Sequence, residues 1–204
     1  MSFRLRINKK NFAKTLESTL STKKVRDLAY NKAVENVNAV KEEMLQKFDE
    51  HPITEELKAG ANAANTSGTI TGDGNLYSFI GFSSEPITVL RQYLASRGRV
   101  YKNSKQVKGI NRINFVFRVD GPKLSAIHDI TPLPYEKGIS WVRGIEKGIS
   151  NIGNYIFRET KKGRSGMGIQ AEYEVRPNAV FTPPSAGYMT EIISYFTNRL
   201  KEIK

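Results

Sequence analysis

The sequence predicts an α+β protein, with a long N-terminal helix and a C-terminal helix packed on a mainly antiparallel β-sheet, and with extended loops or arms. Three stretches lead there. Val25, Leu28, Ala29, Ala33, Val37, Val40, Met44 and Phe48 advance by three or four residues. Ile113, Phe115, Phe117 and Val119 alternate with Arg112, Asn114, Val116 and Arg118. Tyr188, Ile192, Tyr195, Phe196 and Leu200 return to helical spacing near the end of the chain. The first and third patterns have the period of an amphipathic helix, and the second has the two-residue period of a half-buried strand.

Taken in order, residues 1–20 read as a basic arm. Phe3–Ile7 alternates apolar and basic residues, and Asn11 is placed to cap a short helix using Phe12, Leu16 and Leu20. Residues 21–204 read as one α+β domain. Ser21 or Thr22 caps the long helix, and the pre-proline position His51 stops it. Gly60–Phe82 follows, GANAANTSGTITGDGNLYSFIGF. Its Gly72-Asp73-Gly74-Asn75 cluster predicts a reversal, so about 60–82 reads as a hairpin arm. Leu76, Tyr77, Phe79 and Phe82 make the run after the turn apolar on nearly every side. That run must meet another surface, either the chain's own core or a neighbouring subunit.

Pro86 opens a further helix with Ile87, Leu90 and Leu94, which Gly98 ends. Arg99-Val100-Tyr101 starts the sheet region, and Lys102–Gly109 (KNSKQVKG) reads as a basic projecting loop. After Gly121-Pro122, Leu124, Ala126, His128 and Ile130 alternate, which predicts a second hairpin. Trp141, Ile145, Ile149, Ile152 and Ile156 fit one helical face, weakened by Gly144, Gly148 and Gly153 at roughly 1 kcal/mol each. About 161–168 (KKGRSGMG) is a basic, glycine-rich loop holding Arg164 and Met167. Ile169, Ala171, Tyr173 and Val175 predict a strand, and Ser185 is placed to cap the last helix.

Composition narrows the chemistry. With no cysteine there is no disulfide framework, thiol nucleophile or thiolate metal site. His51 and His128 have no partner at ligand spacing, and neither a dinucleotide fingerprint nor a phosphate-binding Gly-Lys-Ser/Thr loop is present. The expectation is therefore a non-enzyme with no catalytic, cofactor-binding or metal-binding residues. No apolar run reaches the roughly 20 residues of a membrane helix, and the N-terminal residues lack the apolar core of a secretory signal.

Net charge is +12 and unevenly placed. Residues 1–26 carry Arg4, Arg6, Lys9, Lys10, Lys14, Lys23, Lys24 and Arg26 against Glu17, and residues 97–123 are as basic. Glu42, Glu43, Asp49, Glu50, Glu55 and Glu56 concentrate between them. Basic stripes attract phosphate backbones or mate with acidic protein surfaces, and charge alone leaves both readings open.

The arrangement resembles the neck and tail-completion (head–tail joining) structural proteins of tailed bacteriophages. The resemblance lies in the helix ending KFDEHPITEEL (Lys47–Leu57), GNLYSFIGF (Gly74–Phe82), KKGRSGMGIQ (Lys161–Gln170) and VRPNAVFTPPSAGYMTEIISYF (Val175–Phe196). It implies a virion protein, assembled in the host cytoplasm into a ring, commonly a hexamer, around the DNA channel. Its implied partners are its own copies, other neck and tail proteins and, non-specifically, packaged DNA, with no membrane and no small-molecule substrate. On that view Leu76, Tyr77, Phe79, Phe82, Arg164 and Met167 contact neighbouring subunits. Lys102, Lys105 and Lys108 line the channel or meet acidic neighbours. The competing expectation is a basic nucleic-acid-binding module, in which Arg99, Tyr101, Lys102, Lys105 and Arg112 with Phe115 and Phe117 mix basic and aromatic residues on strands.

Overall fold

The computed structural model describes residues 18, 23–69, 74–108, 113–147 and 187–203, with the backbone alone at 103–108 and 113–114. Helix and sheet are both present, with a long N-terminal and a C-terminal helix. The chain forms two compact units, one of Met1–Val40 with Gly98–Asp120, the other of Lys41–Arg97 with Gly121–Lys204. Helix α1 (Lys23–Asp49) is continuous from the first into the second. Its apolar stripe is buried at Val37, Val40, Met44 and Phe48, whereas Leu28 is 60% exposed.

In the first unit, β1 (Arg99–Lys108) pairs antiparallel with β2 (Ile113–Asp120). Arg99 lies opposite Asp120, Val100 opposite Val119 and Tyr101 opposite Arg118, and the register shifts between Tyr101 and Lys105. Phe115, Phe117 and Val119 are half-buried while Val116 and Arg118 are more open, as the alternation predicts, with Val116 53% exposed. Tyr30 of α1 covers the inward face, its ring edge-on to Phe117 at 5.9 Å and its hydroxyl donating to the Val100 carbonyl at 3.4 Å. The projecting loop expected from Lys102 is instead strand through Lys108. Backbone pairing needs no apolar side chains, so a polar run gives no warning of it.

The second unit is helical among its described residues, apart from an isolated antiparallel bridge between Pro132 and Ser140. It holds the end of α1, then α2 (Pro52–Ala59), α3 (Leu76–Ile80), α4 (Ile87–Ala95), α5 (Leu124–Ile130), α6 (Trp141–Glu146) and α7 (Tyr188–Glu202). Met44, Phe48, Leu57, Leu76, Leu90, Ile127, Trp141 and Phe196 form its core, each 2% exposed or less. Helix α7 packs against α5 and α6, and the end of α1 meets it through Phe48 on Tyr188 and through ion pairs.

Two expected hairpins are corrected. Residues 124–130 form α5, because the residue it buries is Ile127, which a strand would have put on the opposite face from Leu124 and Ala126. Residues 76–80 form α3. Asn75 caps it, its Oδ1 accepting from the Ser78 amide at 2.8 Å. Gly81, at φ 81°, closes it with a left-handed residue that other side chains rarely adopt. Gly81 donates to the Ser78 carbonyl and Phe82 to the Tyr77 carbonyl, and the Tyr77 and Phe82 rings pack at 5.6 Å. These are the bonds and apolar contact of a Schellman helix stop.

Helix α7 is capped from a distance. The Glu146 carboxylate accepts from the amides of Met189 (2.6 Å) and Thr190 (2.9 Å). A Cβ on Gly187 would lie 2.6 Å from Glu146 Oε2, so this clasp requires glycine there. The expected cap Ser185 and the expected strands at 3–7 and 169–175 lie outside the described residues.

Candidate functional site

Among the described residues expected to contact neighbouring subunits, Leu76, Tyr77 and Phe82 face inward. Leu76 is fully buried and Tyr77 9% exposed, and Phe82 meets Trp141 edge-on at 5.5 Å. Leu76 and Tyr77 thus belong to the core of their own unit, with half-buried Phe82 packed at its edge, which corrects their assignment as an exposed arm. Phe79, in the same short helix, is half-buried, as is Phe82. The stretch before them is tied down as well. Glu56, 1% exposed, accepts from the amides of Ser67 (2.9 Å) and Leu76 (2.6 Å), while the Asn75 side-chain amide donates to the carbonyls of Ala61 and Ala63. Arg164 and Met167 lie outside the described residues.

The three lysines expected at a channel or an acidic neighbour sit on β1. Lys102 has an acidic partner in its own unit, with Nζ 3.1 Å from Asp27 Oδ1 and 5.7 Å from the centre of the Tyr30 ring. It therefore lies on the helix side of the ribbon. Lys105 stands opposite Val116 and Lys108 opposite Ile113 in the ladder.

The outward face carries a different basic cluster. Tyr101, directly opposite Arg118, has the Arg118 guanidinium 5.1 Å and the Arg99 guanidinium 5.8 Å from its ring centre. Tyr101 and Val116 are 36% and 53% exposed. Among the described residues neither guanidinium is ion-paired to a carboxylate. An aromatic ring holding two guanidinium groups presents many N–H donors to an anion, about five per guanidinium, in a geometry suited to phosphate or carboxylate oxygens. Sequence reading groups Arg99 and Tyr101 with the basic segment but does not join Arg118 to them, because residues 101 and 118 become neighbours only through the strand register.

A second polar region lines an open groove of about 430 Å³ beside the end of α1 and α7. Here Glu43 accepts from the Tyr195 hydroxyl (3.0 Å) and from Arg199 Nε (2.9 Å) and Nη2 (3.2 Å). Those bonds, Arg199 first, hold its carboxyl below the usual range. Lys47 pairs with Glu191 at 2.8 Å. These opposed charges are satisfied by one another, so the groove acts chemically as a polar seam between two helices.

His51 also lines it. The imidazole Nδ1 caps α2 by accepting from the Ile53 amide at 3.2 Å, and the ring packs on Tyr188 at 4.8 Å. Burial pushes its pKa down from 6.5, although Glu191 opposes the shift. Burial likewise pushes the Tyr188 phenol well up, even as its hydroxyl shares a 2.6 Å hydrogen bond with Thr54. A depressed histidine pKa adds stability that is full above pH 6.5 and is lost as the pH falls through the folded value. Urea midpoints measured from pH 8 to 5 should therefore fall below about pH 6.5 in the wild type. His51→Asn keeps a capping oxygen but cannot titrate, so its profile should be flatter. His128, also pushed down by burial, leaves a residual slope. Superimposable profiles would refute the assignment to His51.

Among the described residues no helix is long and apolar enough to cross a membrane, and no cluster of three or more His, Asp or Glu could hold a metal ion. Comparison with models of known protein families, with curated proteins and with solved structures returns no match.

Proposed function

We propose that the chain is an assembly protein, a subunit that works by fitting against copies of itself and other structural proteins. More particularly, we read it as a component of the neck or upper tail of a tailed bacteriophage, which forms a ring around the DNA channel and joins head to tail without catalysing a reaction. The observation that carries this reading is the segregation of exposed charge along α1. Lys23 and Lys24 are exposed in its first part, near the exposed Leu28, whereas Glu42 and Glu50, with Glu55 of α2, are exposed at the other end. A closed ring needs two different, complementary surfaces on each copy, and opposite charges steer and register such contacts. The resemblance of the Lys47–Leu57 and Gly74–Phe82 stretches to the phage proteins supplies the biological setting.

The test is the mass of the purified protein by light scattering at low and high salt, with and without duplex DNA. A discrete ring, broken to smaller species by Glu42→Lys with Glu50→Lys, is the expected result. Opposite-charge contacts converted to like-charge contacts cost several kcal/mol, enough to shift assembly by roughly a hundredfold or more. A monomer under every condition that also fails to join neck or tail components overturns the reading. A second reading, a basic nucleic-acid-binding module, is favoured by the outward ribbon face, and it predicts a monomer that moves onto DNA at low salt and leaves at high salt.

A further inference from the structure

We propose that the outward face of the β1–β2 ribbon, built from Arg99, Tyr101 and Arg118, docks on the phosphate backbone of duplex DNA. The inference rests on the reading that this chain works against DNA, and it adds Arg99 and Arg118 to the basic residues expected to face it. Four observations support it. The ribbon is one-sided, because Tyr30 of α1 packs against Phe117 on the inner face while Tyr101 and Val116 are exposed on the outer one. Its charge is strongly of one sign, since its two strands carry Arg99, Lys102, Lys105, Lys108 and Arg118 against Asp120 alone.

The guanidinium groups are also pre-positioned. Both sit over the Tyr101 ring, so less side-chain freedom is lost when they bind. Arginine pairs with phosphate through two parallel N–H bonds, which a lysine ammonium cannot do. Finally, a two-stranded antiparallel ribbon is of a size to approach the DNA major groove, about 12 Å wide, and the phosphates along its edges. Lys102 contributes less, since its charge is already answered by Asp27.

The experiment measures binding of the full-length protein to a short mixed-sequence duplex by fluorescence anisotropy, as salt is raised from about 50 to 200 mM. The variants are Arg99→Gln with Arg118→Gln, each single change, and Lys102→Gln. Each lost phosphate contact removes about 0.9 from the slope of log affinity against log salt. The double variant should therefore have a slope shallower by about 2 and bind on the order of a hundredfold more weakly at the low-salt end. Each single arginine change should remove about half of that slope, and Lys102→Gln should leave it near the wild-type value. Wild type and double variant with equal slopes, or Lys102→Gln alone carrying the loss, overturn the assignment of the face while leaving DNA binding intact. A wild-type protein that ignores duplex DNA and binds polyglutamate instead overturns the DNA reading itself. Ring formation is read separately by mass, so its failure is distinguishable from either of these results.

Discussion

Glu56→Ala is expected to destabilise the second unit by about 3 kcal/mol, because it leaves the buried Leu76 amide and the half-buried Ser67 amide without their acceptor, at about 1–3 kcal/mol for a fully buried donor and less for one that water reaches. The Glu56 carboxylate is 1% exposed and divides its oxygens, Oε2 taking the Ser67 amide and Oε1 the Leu76 amide. Leu76 is the first residue of α3 and fully buried, so the lost bond loosens a helix start in the core. Bonds to a carboxylate are roughly twice as strong as neutral ones, which places this loss at the upper end of single substitutions. Glu56→Gln keeps one accepting oxygen and turns an NH₂ group towards the other donor, so about half the loss is expected. Glu55→Ala, at an exposed neighbouring position, should stay within about 0.5 kcal/mol of wild type. Urea unfolding gives the energies, and hydrogen exchange at residues 76–80 shows whether the loss is local to α3. A change below about 1 kcal/mol for Glu56→Ala would mean that other groups hold the loop.

Trp141→Ala is expected to cost about 3–5 kcal/mol, the range for removing a large aromatic from a packed core. Trp141 is 2% exposed and begins α6, with its backbone amide bonded to the Thr131 carbonyl at 2.9 Å. Its ring meets Phe82 edge-on, and Phe82 in turn packs on Tyr77. Truncation therefore opens a cavity where α6 meets the end of α3, and Trp141→Phe should recover a large part of the loss. The coupling between the rings is separable by a double-mutant cycle of Trp141→Ala and Phe82→Ala, expected to give about 0.5–1.5 kcal/mol. Strict additivity would show that the 76–82 stretch does not share this core and would reopen the case for an outward-facing arm. Trp141 is the only tryptophan. In the wild type its emission therefore reports on this core directly, and a red shift on unfolding should coincide with loss of helix.

At residues 74–82 a short helix stands where the local residues also fit a reversal. Asn75 three residues before Ser78, and Gly81 five residues after Leu76, are the cap and stop of a five-residue helix. Both signals were visible, but glycine and asparagine also mark reversals, and a helix this short shows little periodicity. At 124–130 the same seven residues fit both periods, and only the burial of Ile127 separates them. The polar run from Lys102 became strand because its pairing lies in backbone groups that every residue carries.

The sequence by itself determined the long helix, its end before Pro52, the half-buried alternation of Phe115, Phe117 and Val119, and the C-terminal helix. Each of these is a repeating pattern of apolar residues set by local geometry, with enough repeats to exclude the other period. Only the tertiary structure decided that Leu76 and Tyr77 point into their own core, that Glu56 holds amides 11 and 20 residues away, and that Glu146 caps a helix 43 residues later. It alone placed Tyr101 against Arg118 and turned Lys102 towards Asp27. These contacts join residues distant along the chain through register and packing, and local composition carries no record of which distant partner a buried carboxylate or an exposed arginine will meet.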